Sequence, residues 1–184
     1  MVKMSEEDNP NVFTVISGIF AKKNVTCVLI GGFAINYYKV SRATADIDFL
    51  IAKEDFEKIL YLLEEAGFKK DYEQEVFARL TAEKQNLMDV DFMFVDKETL
   101  DKIIKDGKII SIGGENFIVP CLNHLIALKL HAIKYNPQIR EFRDMSDVIE
   151  LIKINAVDVK DEVFKNLCLK YGTAALYRKI LEKA

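Results

Sequence analysis

Asp46 and Asp48, in the run Arg42-Ala-Thr-Ala-Asp46-Ile47-Asp48-Phe49-Leu50-Ile51, constrain the fold of this chain more than any other feature. The run is apolar and strand-like, yet two carboxylates stand two positions apart in it. Successive side chains on a strand alternate faces at about 3.3 Å per residue, so both acids project from one face, about 7 Å apart. Ile47, Phe49 and Ile51 fill the other face. Bare, the two acids repel. A divalent cation held by oxygens accounts for the pair and brings phosphoryl or nucleotidyl chemistry forward. The competing reading is a solvated edge strand whose charges oppose aggregation.

A second acidic pair repeats the spacing in Leu87-Met88-Asp89-Val90-Asp91-Phe92-Met93-Phe94, with Asp89 and Asp91 on one face and Val90, Phe92 and Phe94 on the other. If the two strands are neighbours, up to four carboxylates converge, and burying such charges uncompensated costs several kcal/mol apiece. One or two Mg2+ ions would compensate them. Alternatively Asp89 only begins the strand and Asp91 alone lies in the site.

Other residues stand out by context. Gly31-Gly32 falls between a strand pattern and a helix pattern, where glycines let backbone approach a phosphate and the helix start offers free N–H donors. Gly113-Gly114 lies between two strand patterns and needs only a turn. Arg42 and Thr44 either steady a triphosphate or hydrogen-bond the connecting loop. Lys129 interrupts the apolar stripe Leu122, Leu125, Ile126, Ile133, so its ammonium either snorkels to water or enters a cleft that holds an anion. Arg140 with Asp144, and Arg143 with Asp147, have the spacing of helical ion pairs. His124 and His131, seven residues or about 10 Å apart along a helix, cannot share a metal directly.

Periodicity and punctuation predict helices over 11–23, 33–39, 53–66 and 97–105, with Gly67 as a left-handed cap. Strands are expected over 25–30, 46–52, 76–81 and 87–95, the last two as an antiparallel pair, and a hairpin over 108–119 turns at Gly113-Gly114. After Pro120 the pattern is helical throughout, over 122–135, 140–154, 158–171 and 173–181. The expected class is α+β: a small mixed sheet flanked by helices over 1–120, with a helical subdomain over 121–184 packed on it.

Composition narrows the setting. At 184 residues the chain has room for one packed core with an extension and is too short for two large domains. A formal charge of −3 argues against a uniformly nucleic-acid-binding surface, and the basic residues Lys165, Lys170, Arg178, Lys179 and Lys183 read as a solvated helix face. Cys27, Cys121 and Cys168, odd in number and widely spaced, suit a reducing cytoplasm. The first ten residues lack the apolar stretch of a signal peptide, and no apolar run reaches membrane-spanning length.

Gly31-Gly32, then Asp46-Ile47-Asp48, then the strand carboxylate Asp91, in this order and context, resemble the signature of the DNA polymerase beta-like nucleotidyltransferase superfamily. More narrowly, the run from Arg42 to Asp48, followed by Lys129 and Arg143-Asp144-Met145-Ser146-Asp147, looks like the AbiEii/AbiGii toxin type, over residues 30–150. That family often has Ser where this chain has Gly32. The resemblance implies that Asp46 and Asp48 hold one or two Mg2+ ions, that Asp91 completes the metal site or accepts the proton of the acceptor hydroxyl, and that Gly31, Gly32, Arg42 and Thr44 receive an NTP. It gives Lys129 the triphosphate, Asp144 the role of essential carboxylate in the helical half, and Asp147 that of its structural neighbour. The implied reaction moves a nucleoside monophosphate from an NTP to a hydroxyl of RNA or protein and expels pyrophosphate. For the toxin type it also implies an antitoxin partner. Antibiotic-modifying members of the superfamily share the same look and make a small-molecule acceptor the alternative. A non-catalytic nucleotide-binding module and a structural Ca2+ site are the further readings.

Overall fold

A computed structural model describes residues 11–184, so the first ten residues of the expected 1–120 unit lie outside the described residues. Helix α1 (Val12–Lys23) opens at Asn11, whose side-chain oxygen accepts hydrogen bonds from the Phe13 and Thr14 N–H groups, and closes at Asn24 in the left-handed region. The short strand β1 (Val28–Leu29) leads directly into α2 (Gly31–Tyr37), then β2 (Asp46–Ala52) and α3 (Lys53–Ala66). Gly67, at φ 106°, ends α3 as its position predicts. There follow β3 (Phe68–Gln74), β4 (Phe77–Ala82), β5 (Asp89–Val95) and α4 (Lys97–Lys105). The hairpin β6 (Lys108–Ile112) and β7 (Glu115–Val119) precedes four helices: α5 (Leu122–Tyr135), α6 (Pro137–Ile154), α7 (Glu162–Tyr171) and α8 (Ala174–Lys183).

The seven strands form one mixed sheet in the order β3-β4-β5-β2-β1-β7-β6. With helices on its flanks this is the expected α+β class. Strand β2 lies between β5, its parallel neighbour, and β1, its antiparallel one. Its alternation then decides what each face does. Ile47, Phe49 and Ile51 align with Val90, Phe92 and Phe94 of β5, and all six are buried in the main core. Phe49 stacks on Phe92 at 5.8 Å and meets Phe20 of α1 edge-on at 5.2 Å. On the opposite face Leu50 and Ala52 join Val28, Ile30, Leu100 and Ile103 in a smaller cluster closed by α4. Asp46 and Asp48 share that second face, just beyond the cluster's edge.

Several elements differ from expectation, each for a local reason. The strand expected over 25–30 shrinks to two residues, because the Val25 N–H bonds back to the Phe20 carbonyl at 2.9 Å and closes α1. Helix α2 begins two residues earlier than expected, at the glycines themselves. Strand β3 was not expected: Phe-Lys-Lys-Asp-Tyr-Glu-Gln has no apolar alternation, and it pairs at the sheet edge with six of seven residues exposed. Helix α6 starts at Pro137, whose ring suits a first helical turn, and α7 starts only at Glu162, after the capping side chain of Asp161. The helical end is tied to α2 by the Asn155 amide, which donates to the Tyr38 carbonyl at 3.2 Å, and by the Tyr38 hydroxyl, which donates to the Pro120 carbonyl at 2.7 Å.

Candidate active site

Parallel pairing in register sets Asp46 beside Asp89 and Asp48 beside Asp91, so four carboxylates share one face at the start of β2 and β5. They are not equivalent. Asp89 is partly exposed, and one of its oxygens accepts the Ala82 N–H at 2.9 Å, which fastens the end of β4. Asp46 sits against Thr44, whose hydroxyl lies 2.9 Å from the Asp46 carbonyl and 3.2 Å from its carboxylate. Asp91 is the deepest, 7% exposed, and its Oδ1 is buried with no hydrogen-bond partner. Burial, then the neighbouring charges of Asp48, Asp46 and Asp89, push its pKa up to about 6 against the pull of Arg79. Asp48 is also raised, by burial first and Asp46 second, against Lys129, Arg140 and Arg42.

An all-oxygen donor set with one buried, unsatisfied oxygen is what a hard divalent cation fits. Asp46, Asp48 and Asp91 are the residues that would hold it. The arrangement is open: among the described residues no three such groups are already drawn around a common point.

Gly31 has φ +61°, and a Cβ there would fall 1.8 Å from Asp48 Oδ2. Asp48 therefore lies directly on the Gly31 backbone, an approach no other residue permits. The strand is pinned there as well, since the Ile30 N–H donates to the Asp48 carbonyl at 2.9 Å. A Cβ on Gly32 would come within 2.6 Å of the Thr44 side chain, so Thr44 occupies the space that a larger residue at 32 would need. Gly113 and Gly114, both at positive φ, make the β6–β7 turn, as their context predicts.

Across from the acids, α5 and α6 present a second charged group. Lys129 is buried and donates to Asp144 at 2.8 Å and to Asp147 at 2.7 Å; Asp147 also pairs with Arg42. Of the two readings for Lys129, the cleft holding an anion applies, and the anions are these carboxylates. Arg42 is placed from α2, because the Asn36 side chain receives its N–H at 2.8 Å and donates to its carbonyl at 2.9 Å. The ion pairs expected along α6, Arg140 with Asp144 and Arg143 with Asp147, do not form: both acids turn inward to partners on other elements. Arg140 instead lines a small cavity of about 70 Å³ together with Gly31, Asp48, Lys129 and Asp144.

Sequence reasoning missed Arg140 in that cavity, and it missed Arg79. The Arg79 guanidinium lies 3.8 Å from Asp46, 3.6 Å from Asp89 and 3.7 Å from Asp91. The signal was present in the expected β4–β5 hairpin, because its register puts Arg79 opposite Asp91. His124 and His131 line a different cavity beside α4, apart from the acids. No described helix is long and apolar enough to cross a membrane.

Residues 13–183 match the model of a family described as uncharacterised nucleotidyltransferase. Among solved structures, the antibiotic-resistance factor ANT(2")-Ia in complex with adenylyl-2"-tobramycin is similar at TM-score 0.58 and 15% identity, over 90% of this chain and 95% of that one. The lincosamide antibiotic adenylyltransferase LnuA, lincomycin-bound, is similar at TM-score 0.54 and 16% identity, over 79% and 99%. An antigenic nucleotidyltransferase-like protein from Paracoccidioides brasiliensis is similar at TM-score 0.57 and 16% identity, over 98% and 94%. These likenesses establish the fold. No curated protein matches the sequence.

Proposed function

The chain belongs to this nucleotidyltransferase family, and from that premise we propose that it moves a nucleoside monophosphate from an NTP to an acceptor hydroxyl, with Asp46, Asp48 and Asp91 holding Mg2+. The observation that carries the reading is the in-register pairing of Asp46-Ile47-Asp48 with Asp89-Val90-Asp91, with the Asp91 oxygen buried and unpartnered. Bound Mg2+ would supply charge neutralisation for an in-line displacement at the α-phosphorus with pyrophosphate as leaving group. Gly31 brings bare backbone beside Asp48 and Gly32 brings it beside Thr44, where phosphate oxygens are received. Thr44 and Arg42 border that approach, Arg42 held by Asn36. From the helical half, 121–184, Lys129 lines the same cavity as Asp48 and is held there by Asp144 and Asp147, a cation the triphosphate would meet with two carboxylates orienting it.

The acceptor we propose is a hydroxyl of RNA or protein, in a reducing cytoplasm that suits three free cysteines, and the toxin role with an antitoxin partner rests on the Arg42-to-Asp48 and Arg143-to-Asp147 motifs alone. A second acceptor class is favoured by the fold likeness to enzymes whose ligands are tobramycin and lincomycin adducts or substrates. Incubation of the protein with each labelled NTP and Mg2+, together with total RNA, total protein and an aminoglycoside and lincosamide panel, decides between them. Label is expected in one class and absent with Asp48→Asn. No label in any class from folded protein contradicts the transferase reading.

A further inference from the structure

We propose that Arg79 is the resident counter-ion of the carboxylate face and that a divalent cation enters by exchanging with it. The inference rests on the reading of Asp46, Asp48 and Asp91 as the cation site. Arg79 stands on β4 between the fully buried Ala78 and Leu80, and its register opposite Asp91 turns its side chain onto the acidic face. It is the one basic side chain within 4 Å of Asp46, Asp89 or Asp91 among the described residues. Its contacts are all of one kind: 3.6 to 3.8 Å, too long for hydrogen bonds, and shared among three acids rather than committed to one. Lys129, by comparison, holds its two acids at 2.7 and 2.8 Å.

A guanidinium that offsets charge without directional bonds is held by Coulomb attraction alone, which a second positive charge at the same oxygens cancels. The Arg79 side chain is 39% exposed, so it has a path to water that the buried Lys129 lacks. The buried Asp91 oxygen that Arg79 fails to hydrogen-bond, at 3.7 Å, is left for an ion to take. Arg79 is thus a positioning residue: it keeps Asp46, Asp89 and Asp91 on one sheet face compatible with folding and yields when the cation arrives.

The test is Mn2+ titration by calorimetry of chelator-treated protein, with Mg2+ titration of the Arg79 side-chain Nε–H signal by NMR, assigned through its loss in Arg79→Lys. Arg79→Met is expected to bind Mn2+ about tenfold more tightly than the native protein, with Arg79→Lys in between. The Nε–H signal is expected to shift as Mg2+ saturates. Mn2+ binding by Arg79→Met that is equal or weaker, or an Arg79 signal unmoved at saturation, overturns the exchange. Asp48→Asn separates the two levels. If it weakens Mn2+ binding while Arg79→Met brings no gain, the exchange alone is wrong. If it binds Mn2+ as tightly as the native protein, the cation-site reading is wrong and the exchange goes with it.

Discussion

The acidic face of β2 and β5 and the ion cluster of α5 and α6 use the same residue types with opposite balance. On the sheet, three of the four carboxylates share one guanidinium beyond hydrogen-bonding distance, and an Asp91 oxygen has no partner. At the helices, Lys129 of α5 and Arg42 from the connection between α2 and β2 match Asp144 and Asp147 of α6 with short direct contacts. The first arrangement is costly to the folded protein unless a cation is added; the second is neutral by itself. Charge removal should therefore have opposite consequences in the two places, stabilising the sheet site while ending its chemistry, and destabilising the helical one.

Catalysis should show the largest effect. Asp48→Asn is expected to lower nucleotidyl transfer by about 10³-fold or more, equivalent to about 4 kcal/mol of transition-state stabilisation, with the fold intact by circular dichroism. A variant within threefold of native activity would remove the sheet site from the reaction. Next, Lys129→Met should cost about 3–5 kcal/mol in urea unfolding, because it leaves Asp144 and Asp147 buried with only Arg42 to offset them. A cost below about 1 kcal/mol would mean the helical cluster is not the self-balanced unit described.

Asp91→Asn should move stability the other way. Its pKa in the fold is raised to about 6, so its contribution favours folding below the ordinary carboxylate value near 4 and is lost as pH rises through about 6. At pH 8 without divalent ions the native protein bears the full penalty, and Asn should relieve on the order of 2 kcal/mol, with little gain at pH 4. Equal effects at both pH values would place the shift elsewhere. The smallest effect belongs to Asn36→Ala, which frees the Arg42 backbone: about 1 kcal/mol in stability and a higher KM for NTP with kcat little changed. An altered kcat at unchanged KM would argue that Arg42 does not serve nucleotide binding.

Much of the sheet site was legible because its information is local. Period-two alternation told which way Asp46, Asp48, Asp89 and Asp91 point, and turn chemistry placed Gly67 and the Gly113-Gly114 hairpin. The bounds of β2, α3, α4 and α5 could be read from apolar spacing and flanking residues. The helical site was illegible for the converse reason. Asp144 and Asp147 have Arg140 and Arg143 at ideal helical spacing, yet their partners come from 15, 18 and 105 residues away. Burial selects those partners, and a single helix pattern does not reveal burial of a charged stripe. Strand β3 escaped because an exposed edge strand has no apolar face to announce it.

The central claim is that the acidic sheet face is built for a divalent cation, and its most direct test is urea unfolding of the native protein and of Asp48→Asn with and without Mg2+. The native protein should gain about 1–3 kcal/mol at Mg2+ concentrations 10 to 100 times its Kd, and Asp48→Asn should gain little or nothing. Native stability indifferent to Mg2+, or an equal gain in the variant, would contradict the account.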